Sequence, residues 1–443
     1  MQNRVKQGTR DKIATALLFL FAFAAWNLTG VATGALFLLL LLFLYDLPRN
    51  WAQLRSDPGF RLMIAAFVMT AILSARGAWM FPETATSQWG AIWEWGAPFL
   101  FPVIAWWLRG NPGLTRALLI AVTAGLLIGV LRKSDWSELG AMLLGYRGGT
   151  GYTALGLGFL ASQVLLGLFL FQKEIVRATL RGRQYPVLAW ALWLFTVVFF
   201  LVVLLATQAR GAVLSLLIVT IGYSTFTLAT RLRSRAGSQR QWTTAIAIAV
   251  CVLALASTVL WTARDRIATD LDALQESATV GHLSYESSLG TRLNLYRIGL
   301  DLFAERPLLG WGPGTSPTRY LVPAQVIPLS QVDQDNAPQW SHLHSVVIEL
   351  LVRFGTLGVV FAAGFLTVMR GAYQRLQGST YDQPLARLLL LGGIMALLYS
   401  AYDFRLTHVD MRFFVILFCG ILYRFRLPGP SDLPASSGTD HQS

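Results

Sequence analysis

Apolar segments long enough to cross a lipid bilayer recur along almost the whole chain, and this feature constrains the fold most strongly. A helix of about 20 apolar residues spans the hydrocarbon core of a membrane. Charged residues make up 13% of the 443 residues, about half the fraction found in an ordinary soluble domain. The first apolar segment lacks a small-residue cleavage pattern and leads straight into the second, so we expect no cleavable signal. The sequence therefore predicts an all-α, polytopic integral membrane protein.

The apolar segments predict about 12 transmembrane helices, with one long polar insertion between the ninth and the tenth. A tight turn is expected at residues 27–30, between the first two helices. The predicted spans are residues 13–28, 31–45, 60–75, 89–108, 114–131, 152–171, 186–206, 212–230, 243–261, 345–369, 385–401 and 413–423.

The distribution of basic residues predicts the orientation. Cytoplasmic loops of membrane proteins are enriched in Lys and Arg, and a cytoplasmic N-terminus places most of the 36 basic residues on that side. The net charge of +13 then reflects topology, and no nucleic-acid partner is expected. Four regions follow: spans one to nine in residues 1–261, an outer loop with short amphipathic helices in 262–344, spans ten to twelve in 345–424, and a disordered cytoplasmic tail in 425–443. The amphipathic helices are expected at 267–283 and 291–303.

Several arginines lie on the outer side, where the topology does not call for them. Arg210 precedes Gly211 at the end of the seventh span, Arg292 and Arg297 lie in the outer loop, and Arg147 lies in a glycine-rich turn. An arginine at a span end is often a snorkelling anchor. A group of them on one face instead favours binding of an anion, because the guanidinium fork matches phosphate oxygens.

Three motifs, in this order and topology, resemble those of the O-antigen ligase and O-antigen polymerase superfamily. They are Thr207-Gln-Ala-Arg210-Gly211, then Gly290-Thr-Arg292 continuing to Pro307-Leu-Leu-Gly310-Trp-Gly312-Pro-Gly314, then Ser341-His342-Leu-His344-Ser345 continuing to Glu349 and Gly355-Thr-Leu-Gly358. The family pattern has Asn after the second His, and this chain has Ser345. Serine still caps a helix N-terminus well.

The resemblance implies a glycosyltransferase of GT-C-like architecture with its active site facing the periplasm, in a Gram-negative inner membrane. We favour the ligase, which would take a glycan from undecaprenyl pyrophosphate, transfer it to lipid A-core and contact membrane lipids. A monomer or weak oligomer is expected. A polymerase, or an O-linked protein oligosaccharyltransferase of the same superfamily, is the alternative. A lipid-linked oligosaccharide flippase or other transporter is the non-enzyme alternative, and a non-catalytic scaffold is a third interpretation.

Such a reaction must bind the charge of a pyrophosphate leaving group and deprotonate a sugar hydroxyl. His344, just before the tenth span, is the candidate general base, with His342 as the rival. Arg210 and Arg292 are the candidates for the pyrophosphate, with Arg147 as a weaker one. One displacement would invert the anomeric carbon.

Arg297 and Asp410 are possible supporting residues. Asp403 and Asp410 precede the last span, where they either orient His344, bind a hydroxyl, or pair with Arg405 and Arg412; we favour the pairing.

No metal and no cofactor are expected. The spacing of His342 and His344 suits a metal ion, but no further His or Cys lies close by in the sequence. Asp333-Gln-Asp335 has the Asp-x-Asp pattern of metal-dependent glycosyltransferases, which is common by chance in polar loops. The first outer loop, where metal-dependent membrane oligosaccharyltransferases carry this pattern, has no carboxylate here.

Overall fold

The computed structural model describes residues 2–109, 111–144, 146, 149–175, 186–233, 264, 268–269, 271–272, 275, 288–316, 342–378 and 383–427. All regular secondary structure in these ranges is helical, which confirms the all-α prediction. The predicted ninth span, most of the predicted 267–283 helix and the tail from residue 428 lie outside the described residues.

The α-helices of the described ranges are α1 (Gln2–Ala24), α2 (Thr29–Leu54), α3 (Pro58–Met80), α4 (Ala85–Gly96), α5 (Phe101–Leu108), α6 (Pro112–Lys133), α7 (Leu139–Leu143), α8 (Ala154–Leu170), α9 (Pro186–Ala206), α10 (Arg210–Arg233), α11 (Ser288–Glu305), α12 (Val346–Gly378), α13 (Gln383–Tyr402) and α14 (Val409–Tyr423). Short 3-10 helices occupy Pro82–Thr84, Ala97–Leu100 and Trp136–Glu138.

Six of these helices, α2, α3, α6, α10, α12 and α13, are long and apolar enough to cross a membrane. Two more apolar helices, α8 and the Trp190–Ala206 part of α9, are shorter. The lengths and composition identify a multi-pass membrane protein. The total of about 12 spans and the side on which the loop lies stay predictions.

The predicted span at residues 89–108 is wrong as a single helix. Helix α4 ends at Gly96, the 3-10 helix Ala97–Leu100 follows, and α5 begins at Phe101. Pro98 and Pro102 explain the break, because proline has no N–H to donate and its ring clashes with the preceding turn. Neither piece reaches the length of a span, and α5 is instead buried against α14 in the core.

The turn between the first two helices lies at residues 25–28, slightly before the predicted 27–30. The backbone N–H groups of Asn27 and Leu28 both donate to the carbonyl of Ala24, at 3.1 and 2.8 Å, which ends α1. Gly30 is already inside α2. The other predicted spans in the described ranges coincide with helices, but α1 begins eleven residues before its predicted start, and α2 and α12 each extend nine residues beyond their predicted ends.

One large apolar core joins α1, α2, α5, α6, α8, α13 and α14. Two smaller apolar clusters position the segments that carry the predicted motifs. The first contains Leu73, Ala91, Trp95, Phe354 and Phe404. The second packs α11 against the start of α12 and contains Leu295, Leu302, Leu343 and Val352.

Candidate active site

Two predicted motifs contain strained backbone. Gln208 and His344 are the non-glycine residues with positive φ among the described residues, at 50° and 54°. A non-glycine residue in this region costs about 1–3 kcal/mol and persists only where its surroundings hold it. Gln208 lies in the turn that makes Arg210 the first residue of α10, and His344 lies two residues before α12.

The two histidines of the third motif pack against each other, with ring centroids 4.5 Å apart. The backbone N–H of His344 donates to Nδ1 of His342 at 3.3 Å. This bond requires a lone pair on Nδ1, so the ring proton of neutral His342 lies on Nε2. Burial, with a smaller contribution from His344, lowers the pKa of His342 to about 3, and His342 is therefore neutral at physiological pH.

His344 is likewise a neutral imidazole, and its environment suits a proton acceptor. Burial lowers the pKa of His344, the charge of Arg292 lowers it further, and the charge of Asp403 opposes both. The Nδ1 atom of His344 is buried and has no hydrogen-bond partner among the described residues. The hydroxyl of Tyr296 donates to the carbonyl oxygen of His344 at 3.3 Å, which ties this backbone to α11.

Helix α11 supplies Arg292 together with Tyr296, because residues four apart lie on the same helix face. The charge of Arg292 acts on both His344 and Tyr296, and it lowers the pKa of each. The net pKa of Tyr296 is nevertheless raised, because burial outweighs the arginine. Arg292 is thus close enough to the candidate base for its charge to act on it, and its role in binding pyrophosphate stays a prediction.

A contact that joins α10 to the end of α13 fixes the backbone of Gly211, the residue after Arg210. The hydroxyl of Tyr402 donates to the carbonyl of Gly211 and also bonds the hydroxyl of Ser215. A Cβ on Gly211 would lie 2.2 Å from the Tyr402 ring, so only glycine fits there. The charge of Arg292 also acts on Tyr402, with a smaller effect than burial.

For Asp403 the sequence favoured an ion pair with a nearby arginine. In the described residues it instead forms a hydrogen bond with a tyrosine. It is 2% exposed, and its Oδ2 accepts a hydrogen bond from the hydroxyl of Tyr399 at 2.6 Å. Its Oδ1 is buried without a hydrogen-bond partner among the described residues. Its charge acts on His344 and His408. A buried carboxylate oxygen without a partner is costly, and such costs are typical of functional sites.

Asp410, in contrast, makes the ion pair that we favoured. Its Oδ2 lies 2.8 Å from a guanidinium nitrogen of Arg405, which also donates to the hydroxyl of Thr153 at 2.6 Å. A Cβ on Gly156 would lie 1.9 Å from Oδ2 of Asp410, so α8 makes room for the carboxylate with a glycine. Asp410 and Arg405 therefore tie the start of α14 to the N-terminal end of α8, and the supporting role of Asp410 in catalysis stays a prediction.

The remaining candidates are not brought to this cluster. Arg297 is exposed on α11, one residue beyond Tyr296, and has no hydrogen bond to the histidines or to Asp403 in the described part of the chain. Arg147 lies outside the described residues. His408, which the sequence did not single out, lies with its ring centroid 6.5 Å from that of His342.

The comparison with protein families matches residues 195–363 to the family model described as O-antigen ligase. This segment is therefore similar to O-antigen ligases, and we call it the ligase domain after the family that it matches. The match confirms the resemblance carried by the three motifs. The ligase domain contains both arginine candidates, both histidines and the first turns of α12, whereas Asp403 follows it in the chain. No curated protein matches the chain.

Within the ligase domain, the second and third motifs form one hydrogen-bonded joint. Helix α12 is kinked at Gly355, where φ is 65° and ψ is −154°, and it continues to Gly378. The freed carbonyls of Val352 and Arg353 accept the backbone N–H groups of Trp311 and Gly312 at 2.9 and 3.1 Å. The freed N–H of Thr356 donates to the carbonyl of Pro307 at 2.7 Å. Residues 307–314 thus form a turn-rich connector, which follows α11 and pairs with α12 at the kink.

The ligase domain and its neighbours show no group of three or more His, Cys, Asp or Glu side chains that could hold a metal ion, within the described ranges. Asp333 and Asp335 lie outside those ranges. The expectation of a metal-free reaction stays a prediction.

Proposed function

We propose that this protein is an O-antigen ligase that transfers O-antigen polysaccharide from undecaprenyl pyrophosphate to lipid A-core. The observation that carries the proposal is the convergence, beside a kinked membrane helix, of neutral His344, the charge of Arg292 and the buried carboxylate of Asp403. Two of these three residues belong to the ligase domain.

The location we propose is the periplasmic face of the Gram-negative inner membrane. The excess of basic residues in the predicted cytoplasmic loops supports this orientation. His344 directly precedes α12, a helix of spanning length, so its imidazole would lie at the boundary where a lipid-borne substrate presents its head group.

In the proposed reaction the acceptor hydroxyl loses its proton to the imidazole of His344 as its oxygen attacks the anomeric carbon. The new glycosidic C–O bond forms while the bond from that carbon to the pyrophosphate oxygen breaks. The electron pair leaves with undecaprenyl pyrophosphate, whose added charge is held by Arg210 and Arg292. A single displacement of this kind inverts the configuration.

The electrostatics support this division of roles. A neutral histidine can accept a proton at physiological pH, and a nearby carboxylate stabilises the imidazolium that results. Asp403 raises the pKa of His344, which is the effect that a stabilising carboxylate must have. The arginines stay charged at any physiological pH and can bind pyrophosphate oxygens in a bidentate fashion.

The test is a mixing assay with purified protein, undecaprenyl-pyrophosphate-linked O-antigen and lipid A-core, with a chelator and without ATP, read on a gel. A ladder on lipid A-core is expected. Longer chains on the donor lipid alone would identify a polymerase instead, and no change in either lipid would contradict a transferase.

The same assay tests the base. We expect His344→Gln to lower transfer by at least about 100-fold, the usual scale for a general base. Arg387→Ala is the matched control, because Arg387 is exposed near the start of α13, about 20 Å by helix rise from the end that carries Tyr402. Full activity of the His344 variant would assign the proton to another group.

A further inference from the structure

A buried ion pair within the first turns of α12 contacts the backbone between the two histidines. Glu349 is fully buried, and its Oε1 accepts the backbone N–H of Leu343 at 2.6 Å. Its other carboxylate oxygen pairs with Nε of Arg353, four residues further along the helix. Leu343 is itself fully buried between His342 and His344.

Arg353 extends this contact to the other segments around the site. Its NH1 donates to the carbonyl of Pro313 at 2.6 Å. Its guanidinium lies over the rings of Trp95 and Phe404, at 6.0 and 5.8 Å from their centroids. The ring of Phe404 in turn lies 5.6 Å from the ring of His342. One guanidinium therefore contacts α4, the 307–314 loop and the residue that follows Asp403.

The location of this pair is not explained by stability alone. A buried ion pair loses so much hydration that apolar residues of the same volume are often equally stabilising. His344 has a strained backbone that must be held from outside, and the carboxylate of Glu349 fixes the peptide N–H directly before it. A hydrogen bond to an ionised carboxylate is stronger and more directional than one between neutral groups.

We propose that Glu349 is a positioning residue, and that its ion pair with Arg353 holds the backbone of His344 in the orientation that the transfer reaction needs. This role rests on the proposed function, since it concerns the proton acceptor of that reaction. Glu349 would act through the backbone and would not touch either substrate. Its loss should therefore slow the chemical step and leave donor binding almost unchanged.

The test measures kcat and the donor KM of the full-length protein, per folded molecule, for Glu349→Ala and Glu349→Gln. We expect the alanine variant to lose about 100-fold in kcat, the scale of a misplacement of about 1 Å at a reacting group. The glutamine variant keeps an oxygen that can accept the Leu343 N–H but loses the charge, so its loss should be about tenfold. The donor KM should stay within about threefold in both.

Asp46→Asn is the matched control. It removes another partly buried ion pair, with Arg10, about 25 Å along α2 from the N-terminal end of that helix. That end follows Trp26, whose indole N–H donates to the carbonyl of Asp410 at 3.1 Å. Its kcat and KM should equal those of the unmodified protein.

Five outcomes would overturn the proposal. The first is an unchanged kcat in Glu349→Ala, and the second is a loss no larger than that of the control. The third is a rise in donor KM at constant kcat. If the alanine variant does not fold, an unchanged kcat in Glu349→Gln overturns the positioning role alone. No transfer by the unmodified protein would overturn the proposed function as well.

Discussion

The kink in α12 gives the most direct test of the joint between the second and third motifs. Gly355 has φ of 65° and ψ of −154°, a combination that is essentially restricted to glycine and costs other residues about 1–3 kcal/mol. A Cβ at this position would also lie 2.5 Å from the carbonyl carbon and oxygen of Leu308. Gly355→Ala must therefore either accept the clash or push the 307–314 loop away from the helix.

Moving the loop would break the hydrogen bonds that Trp311, Gly312 and Thr356 make across the joint. Each contributes about 1 kcal/mol, so either route leads to a destabilisation of about 3 kcal/mol. We expect the midpoint of thermal unfolding in detergent to fall by roughly 3 °C, because the shift is the destabilisation divided by an unfolding entropy that grows with chain length. Transfer activity should fall at least tenfold even below that midpoint, because the loop and His344 are connected through α12.

The matched control is Gly364→Ala in the same helix. Gly364 has no atom within 4 Å of an added Cβ, and alanine is a better helix former than glycine by about 1 kcal/mol. The control should be as stable as the unmodified protein or slightly more stable, with full activity. If Gly355→Ala matched Gly364→Ala in both measurements, the argument that the kink requires glycine would be refuted.

Two further predictions concern the base and its surroundings. Burial and Arg292 lower the pKa of His344 below its ordinary 6.5. The rate of transfer should therefore be maximal at pH 7 and decline only well below pH 6.5, by about tenfold per pH unit. A pH profile in which kcat declined already above pH 7 would contradict this. Gly156→Ala should displace the Asp410 carboxylate, whose Oδ2 lies 1.9 Å from the added Cβ, and lower the unfolding midpoint; Gly167→Ala in the same helix, with its nearest atom 3.9 Å away, should not.

The sequence predicted the helical membrane fold because the length of an apolar segment is a local property that a bilayer imposes directly. It failed at residues 89–108, where the apolar run is long enough but Pro98 and Pro102 break the helix. Those prolines were visible in the sequence. Their effect competes with hydropathy, and hydropathy alone gave the wrong element.

The candidate site was predictable to the extent that its residues lie in motifs. His342, His344 and Arg292 come together as expected. Asp403 could not be assigned from the sequence, because its partner depends on how the end of α13 packs, and a nearby arginine was the simplest local choice. Its actual partner is Tyr399, one helical turn earlier, and Arg405 pairs with Asp410 instead.

The helix break explains how a site assembled from separate segments can be rigid. A kink at Gly355 leaves the carbonyls of Val352 and Arg353 without helical partners, and each would cost about 1–3 kcal/mol if buried and unpaired. The 307–314 loop, which follows α11, supplies the missing N–H groups. The helix that carries Arg292 and the helix that follows His344 are thereby joined into one body.

In a single displacement the proton acceptor and the groups that bind the leaving oxygen act around the same carbon, and an error of about 1 Å between them can cost about 100-fold in rate. A joint of this kind keeps that distance constant, which gives a catalytic reason for two glycine-rich segments, 307–314 and 355–358, that contact neither substrate in the proposed reaction.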